Sequence, residues 1–202
     1  MQINLQKTKV RLDFSFFLVV TLMLIFCNEE IVLLSVFSSM FHECGHLIMM
    51  IKCKERIENV VFGAFGVRIE KYAFSGISYK KEILIALGGI FFNLILAFIS
   101  MVVYIFLGKT TALMLSLINI FIALMNSMPI GHLDMGQAVS SFLLMKTESE
   151  RAREISEIIS FVFCLAFTIF TVFYCIIIKV NFSLVAVSIY LLTETEFKIH
   201  GQ

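Results

Sequence analysis

Apolar runs of bilayer-crossing length recur along this chain and restrict its fold more than any other feature. They cover about residues 12–27, 31–53, 83–107, 111–128, 158–178 and 181–192, the first and last being short of a full span. A helix needs roughly 17–25 predominantly apolar residues to cross the hydrocarbon layer. Inside that layer every backbone amide must be satisfied within a helix or a closed barrel. The runs therefore predict an all-α polytopic membrane protein with about six transmembrane helices. Three tight links, at 28–30, 108–110 and 179–180, predict helical hairpins. Composition agrees: 59% of the residues are hydrophobic and 15% charged, with a mean hydropathy of +0.95. A soluble domain carries about a quarter charged residues. One domain, residues 1–202, accounts for the whole length.

The start, residues 1–11, is polar and bears lysines, and an apolar run follows it directly. No small-residue cleavage site comes after that run, so it reads as a retained first helix rather than a signal peptide. Lys and Arg set the expected orientation. With the N-terminus inside, the outer face keeps only Lys109 and Lys179, leaving 14 of the 16 basic residues on the inner face. Such asymmetry predicts a multi-pass protein of the cell membrane with both termini cytoplasmic. The net charge of +1 offers no basic tail for nucleic acid. The five cysteines form no C-x-x-C pair and read as small apolar packing residues.

Within the second run stands His42-Glu43-Cys44-Gly45-His46. On a helix, H-E-x-x-H puts two imidazoles at i and i+4 on one face, where both can bind one zinc ion. Glu43 lies beside them, placed to take a proton from water. In a soluble chain this pattern suggests a metalloprotease; within an apolar span it suggests one working below the membrane surface. Charged residues in such spans are costly and mark function. Between the second and third runs, residues 60–69 are β-branched, aromatic and punctuated by Gly63 and Gly66. They predict a short membrane-associated β-hairpin, whose edge could take an unwound substrate as an added strand. An ordinary interfacial loop is the alternative.

A catalytic zinc usually takes three protein ligands. At membrane depth the acidic candidate is Asp134, in Asn126-Ser127-Met128-Pro129-Ile130-Gly131-His132-Leu133-Asp134. Pro129 lacks a backbone donor and should break the helix there, as happens where side chains are aimed into a cavity. Asp134 as a loop-capping residue is the alternative. His132 could ligate or donate to an oxyanion, Glu82 starts the third run, and His200 lies in the polar tail. Gly88, Gly89 and Asn93 fit close helix packing in lipid.

Taken together, His42-Glu43-Cys44-Gly45-His46, Asn126-Ser127-Met128-Pro129 and Leu133-Asp134-Met135-Gly136 resemble the site-2 protease family of intramembrane zinc metalloproteases. That family pairs H-E-x-G-H with a later N-x-x-P-x-x-x-L-D-G element. Gly88-Gly89-Ile90-Phe91-Phe92-Asn93 is similar to its G-P-x-x-N segment, with Ile90 where the family has Pro. Met135 stands where a Gly often follows the Asp. The resemblance covers about residues 10–195. It implies Zn2+ held by His42, His46 and Asp134, with Glu43 catalytic. It also implies that Asn126 and Pro129 shape a loop touching the substrate backbone. Substrates would be membrane-embedded or membrane-tethered proteins, and the resemblance leaves room for an inhibitory membrane partner beside the lipid bilayer. A core without a PDZ insertion resembles the stage IV sporulation protein FB-like branch, which processes the sigma-K precursor and often carries a CBS domain. The chain ends at Gln202, so no CBS domain is expected.

Two rivals stand beside this reading. A non-proteolytic metal-binding membrane protein, transporter or scaffold, would tend to line polar residues along several spans. A different membrane zincin would take a Glu from a downstream E-x-x-x-D, and no such pattern follows at membrane depth. The acidic 148–157 stretch reads as a solvated helix face.

Overall fold

The computed structural model describes residues 2–5, 8–12, 21, 23–25, 28–55, 57–63, 66–71, 78–131 and 133–178. In chain order the elements are β1 (Gln2–Leu5), β2 (Thr8–Leu12), α1 (Glu29–Lys52), β3 (Ile57–Gly63), β4 (Gly66–Lys71), α2 (Tyr79–Leu107), α3 (Thr110–Asn126), α4 (Asp134–Leu144) and α5 (Ser149–Ile178). They form two compact units, Met1–Met125 and Asn126–Gln202. Among the described residues three helices, α1, α2 and α5, are long and apolar enough to cross a membrane, and α3 is a shorter apolar helix. The chain is a membrane protein. Phe98 at 71% and Phe106 at 81% relative exposure, both on α2, belong to an apolar surface far larger than water tolerates on a monomer.

The expected first and last spans, 12–27 and 181–192, fall largely outside the described residues. The expected fold, all-α apart from a hairpin over residues 60–69, needs correction at the N-terminus. The strand order is β1-β2-β3-β4. β1 and β2 pair antiparallel, β2 and β3 parallel, and β3 and β4 antiparallel, with Gly63 opposite Gly66. Residues 2–5 and 8–12 are therefore strands. Leu12 ends a strand instead of opening a span. Lys9-Val10-Arg11-Leu12 alternates polar and apolar side chains, the period-2 pattern of a strand.

Local chemistry explains the helix ends. Asn28 caps α1, its Oδ1 accepting from Glu30 N–H at 2.9 Å, and Glu29 and Glu30 sit at the positive end of the helix dipole. After Lys52 the chain turns through Lys54 at φ 58°, while the amides of Cys53, Lys54 and Glu55 bond the last carbonyls. Gly108 ends α2 at φ 64°, where a side chain is disfavoured, and its N–H reaches Tyr104 O at 2.8 Å. Two residues then separate α2 from α3, a tight hairpin.

In the first unit α1 and α2 pack closely because glycines meet. A Cβ on Gly45 would lie 2.6 Å from the Gly88 carbonyl oxygen. Phe41 and Phe92 pack beside this crossing with ring centroids 5.7 Å apart. Lys81 donates to Glu55 at 2.8 Å, joining the start of α2 to the end of α1. α3 attaches through polar side chains, Ser116 Oγ donating to Ala97 O at 2.9 Å and Asn119 Nδ2 to Ser38 Oγ at 2.9 Å. Such bonds hold helices together where burial of apolar surface gives no drive.

The second unit is built around residues 127–133. α3 stops at Asn126, and Pro129 prevents its continuation. Ile130 is fully buried against Cys164 of α5, with Met128 and Leu133 packed around it. The Gly131 amide donates to Ser160 Oγ at 2.9 Å. Gly136 lies directly beneath the Ile130 carbonyl, where a Cβ would overlap backbone. The loop thus demands a glycine at 136, two residues after Asp134. Ile130→Ala should destabilise the protein by about 2–5 kcal/mol through lost burial and a residual cavity. Thermal unfolding in detergent, compared with wild type, measures this.

Candidate metal centre

α1 places His42 and His46 one turn apart on its buried face, at 6% and 9% relative exposure. Their rings are nearly perpendicular, with centroids 4.8 Å apart. The two Nε2 atoms face each other at 3.1 Å. Two nitrogens on one tetrahedral zinc lie about 3.3 Å apart, given Zn–N bonds of about 2.05 Å. Nδ1 of His46 donates to the Ile85 carbonyl of α2 at 2.7 Å. That bond puts the ring proton on Nδ1 and leaves the Nε2 lone pair for a ligand, the usual arrangement for a metal-binding histidine.

Space for the imidazoles comes from Gly89. A Cβ there would stand 2.5 Å from His46 Nε2 and 2.6 Å from His42 Nε2. Any side chain at this position would occupy the ground on which the two Nε2 atoms converge. By sequence alone Gly89 and Gly88 are both candidates for close helix packing. Gly88 does face Gly45 and Met49, whereas Gly89 faces the Nε2 atoms of His42 and His46. No local pattern separates these neighbouring glycines; the α1–α2 contact does.

Glu43 is half-buried on α1, adjacent to His42, and Cys44 beside it is exposed. In the second unit, Asp134 is the first residue of α4, at 9% relative exposure. A carboxylate in a first turn is favoured by the helix dipole. Asn126 ends α3 and Pro129 lies in the following loop, both half-buried. His132 and His200 lie outside the described residues. His42, His46 and Asp134 are buried side chains of the kinds that hold a metal ion.

The solved structure titled "Site-2 Protease from Methanocaldococcus jannaschii" is similar to this chain at a TM-score of 0.65 and 19% identity, covering 97% of this chain and 93% of that one. This is the fold of a site-2 protease. No protein-family model and no curated protein sequence matches the chain. Within the site-2 fold, the facing nitrogens and the open ground over Gly89 fit a small cation. Imidazole donors of this kind suit zinc, copper, iron or nickel.

Proposed function

We propose that this protein is an intramembrane zinc metalloprotease of the site-2 family, with Zn2+ held by His42, His46 and Asp134. The observation that carries the reading is the pair of Nε2 atoms converging over a glycine on two membrane-length helices. The site-2 protease fold supports it.

When bound, the ion supplies a Lewis acid that polarises the scissile carbonyl and brings the pKa of water towards roughly 7. The chain's own residues do the rest. Glu43 accepts the proton of the attacking water and returns it to the leaving amine. The Ile85 carbonyl keeps the His46 proton on Nδ1 through this exchange. The Asn126 amide offers a donor and an acceptor to a substrate backbone that has lost its helical partners, and Pro129 shapes the loop that follows. A transmembrane substrate satisfies its amides internally, so it must unwind before cleavage. β4 is an edge of the sheet and packs on α1, the helix of His42 and His46, which suits addition of the unwound segment as a strand. We read the substrate as a membrane-embedded or membrane-tethered regulatory protein. Resemblance to the sporulation branch narrows it to a sigma-factor precursor. Both termini are cytoplasmic in this reading, following the distribution of Lys and Arg.

Asp134→Ala tests the ligand set. It should lower zinc content well below one ion per chain and abolish cleavage of a co-expressed membrane-tethered substrate. Metal analysis on purified protein and an immunoblot of the substrate read the two effects. Full zinc and full cleavage in this variant would remove the reading. Zinc binding by wild type without cleavage of any membrane substrate would favour a metal-binding scaffold.

A further inference from the structure

The interior of the first unit carries a polar layer that the hydrolytic scheme does not use. The α1–α2 contact keeps an antiparallel register, with His46 bonded to Ile85 and His42 lying over Gly89. One turn further on, Ser38 of α1 comes level with Asn93 of α2. Asn119 of α3 enters the same layer, donating through Nδ2 to Ser38 Oγ at 2.9 Å. All three residues are 0% exposed. Among the described residues, neither side-chain atom of Asn93 has a hydrogen-bond partner, and Asn119 Oδ1 has none. A dry amide without a partner is costly inside a membrane protein. Buried polar groups lacking a protein partner are where internal water is found. Asn93 offers two donors and an acceptor, and Asn119 a further acceptor, which gives a water the two to four partners it needs.

We propose that Asn93, Ser38 and Asn119 form an internal hydration site, one helical turn from His42, that keeps the metal centre supplied with water. A turn rises about 5.4 Å, close to the span between two groups bridged by one water, so water bound at Asn93 reaches the imidazole layer. The hydration stands on geometry alone; only its kinetic consequence rests on the protease reading.

A high-resolution crystal structure of the zinc-loaded full chain, grown in a lipidic mesophase, tests the site. Ordered water is expected within about 3.2 Å of Asn93 Nδ2 or Oδ1. Asn93→Leu, close in volume but without donor or acceptor, should lose that water and keep its zinc. Its kcat should fall about tenfold at unchanged KM, the scale of an outer-shell loss. Asn93→Ser retains a hydroxyl and should retain both water and most of kcat. A dry void, or a direct protein partner for the Asn93 amide, overturns the site whatever the cleavage assay gives. A hydrated wild type with unchanged kcat in Asn93→Leu overturns the supply role. Should Asn93→Leu fail to fold, the wild-type map and Asn93→Ser decide the question.

Discussion

Glu43→Gln is expected to abolish cleavage while leaving zinc at its wild-type level. The amide matches the carboxylate in size and keeps α1 intact, but it cannot accept a proton. General-base assistance contributes roughly 10²–10⁴-fold, and a loss of that size raises the barrier by about 3–5 kcal/mol. Glu43 is half-buried next to His42 and belongs to neither the facing nitrogen pair nor the Ile85 bond. Removing its charge therefore leaves the histidine ligands in place. Metal analysis and a cleavage time course on the same preparation check both halves. Undiminished cleavage would take Glu43 out of the mechanism, and loss of zinc would make it a ligand.

Gly89→Ala should be nearly as damaging, by a different route. The added methyl would sit 2.5–2.6 Å from both Nε2 atoms and from His42 Cε1, closer than real carbon atoms approach. Either the imidazoles rotate away or α2 withdraws from α1, and each outcome separates the ligand atoms. Zinc affinity should drop by at least about 100-fold, the upper end of losses seen when only outer-shell partners are removed. Helix content should not fall, because alanine is favoured over glycine within a helix by about 1 kcal/mol. Gly88→Ala is the control. Its methyl meets the flexible Met49 side chain at 2.7 Å and the Gly45 carbonyl at 2.9 Å, so it should lower stability more than zinc binding. Competition with a zinc-sensitive dye, set beside circular dichroism, distinguishes the two variants. Equal zinc affinity in Gly89→Ala and wild type would refute the steric account.

The sequence by itself determined the membrane-length helices α1, α2 and α5 and the common face of His42 and His46. Both follow from rules that act over one or two turns: bilayer thickness sets the length of an apolar run, and 3.6 residues per turn brings i and i+4 together. The end of α3 before Pro129 was legible for the same reason, since a missing amide acts where it stands. Only tertiary structure decided the rest. Lys and Arg obscured the alternation in residues 8–12, and the parallel partner of β2 lies some fifty positions away in β3. Gly88 and Gly89 are identical in local sequence terms, yet one receives a helix backbone and the other two ligand nitrogens. Ile130 looked like any loop aliphatic until Cys164 and Ser160 of α5 enclosed its turn. Each of these outcomes depends on which surfaces meet across long stretches of chain, and local periodicity carries no record of that.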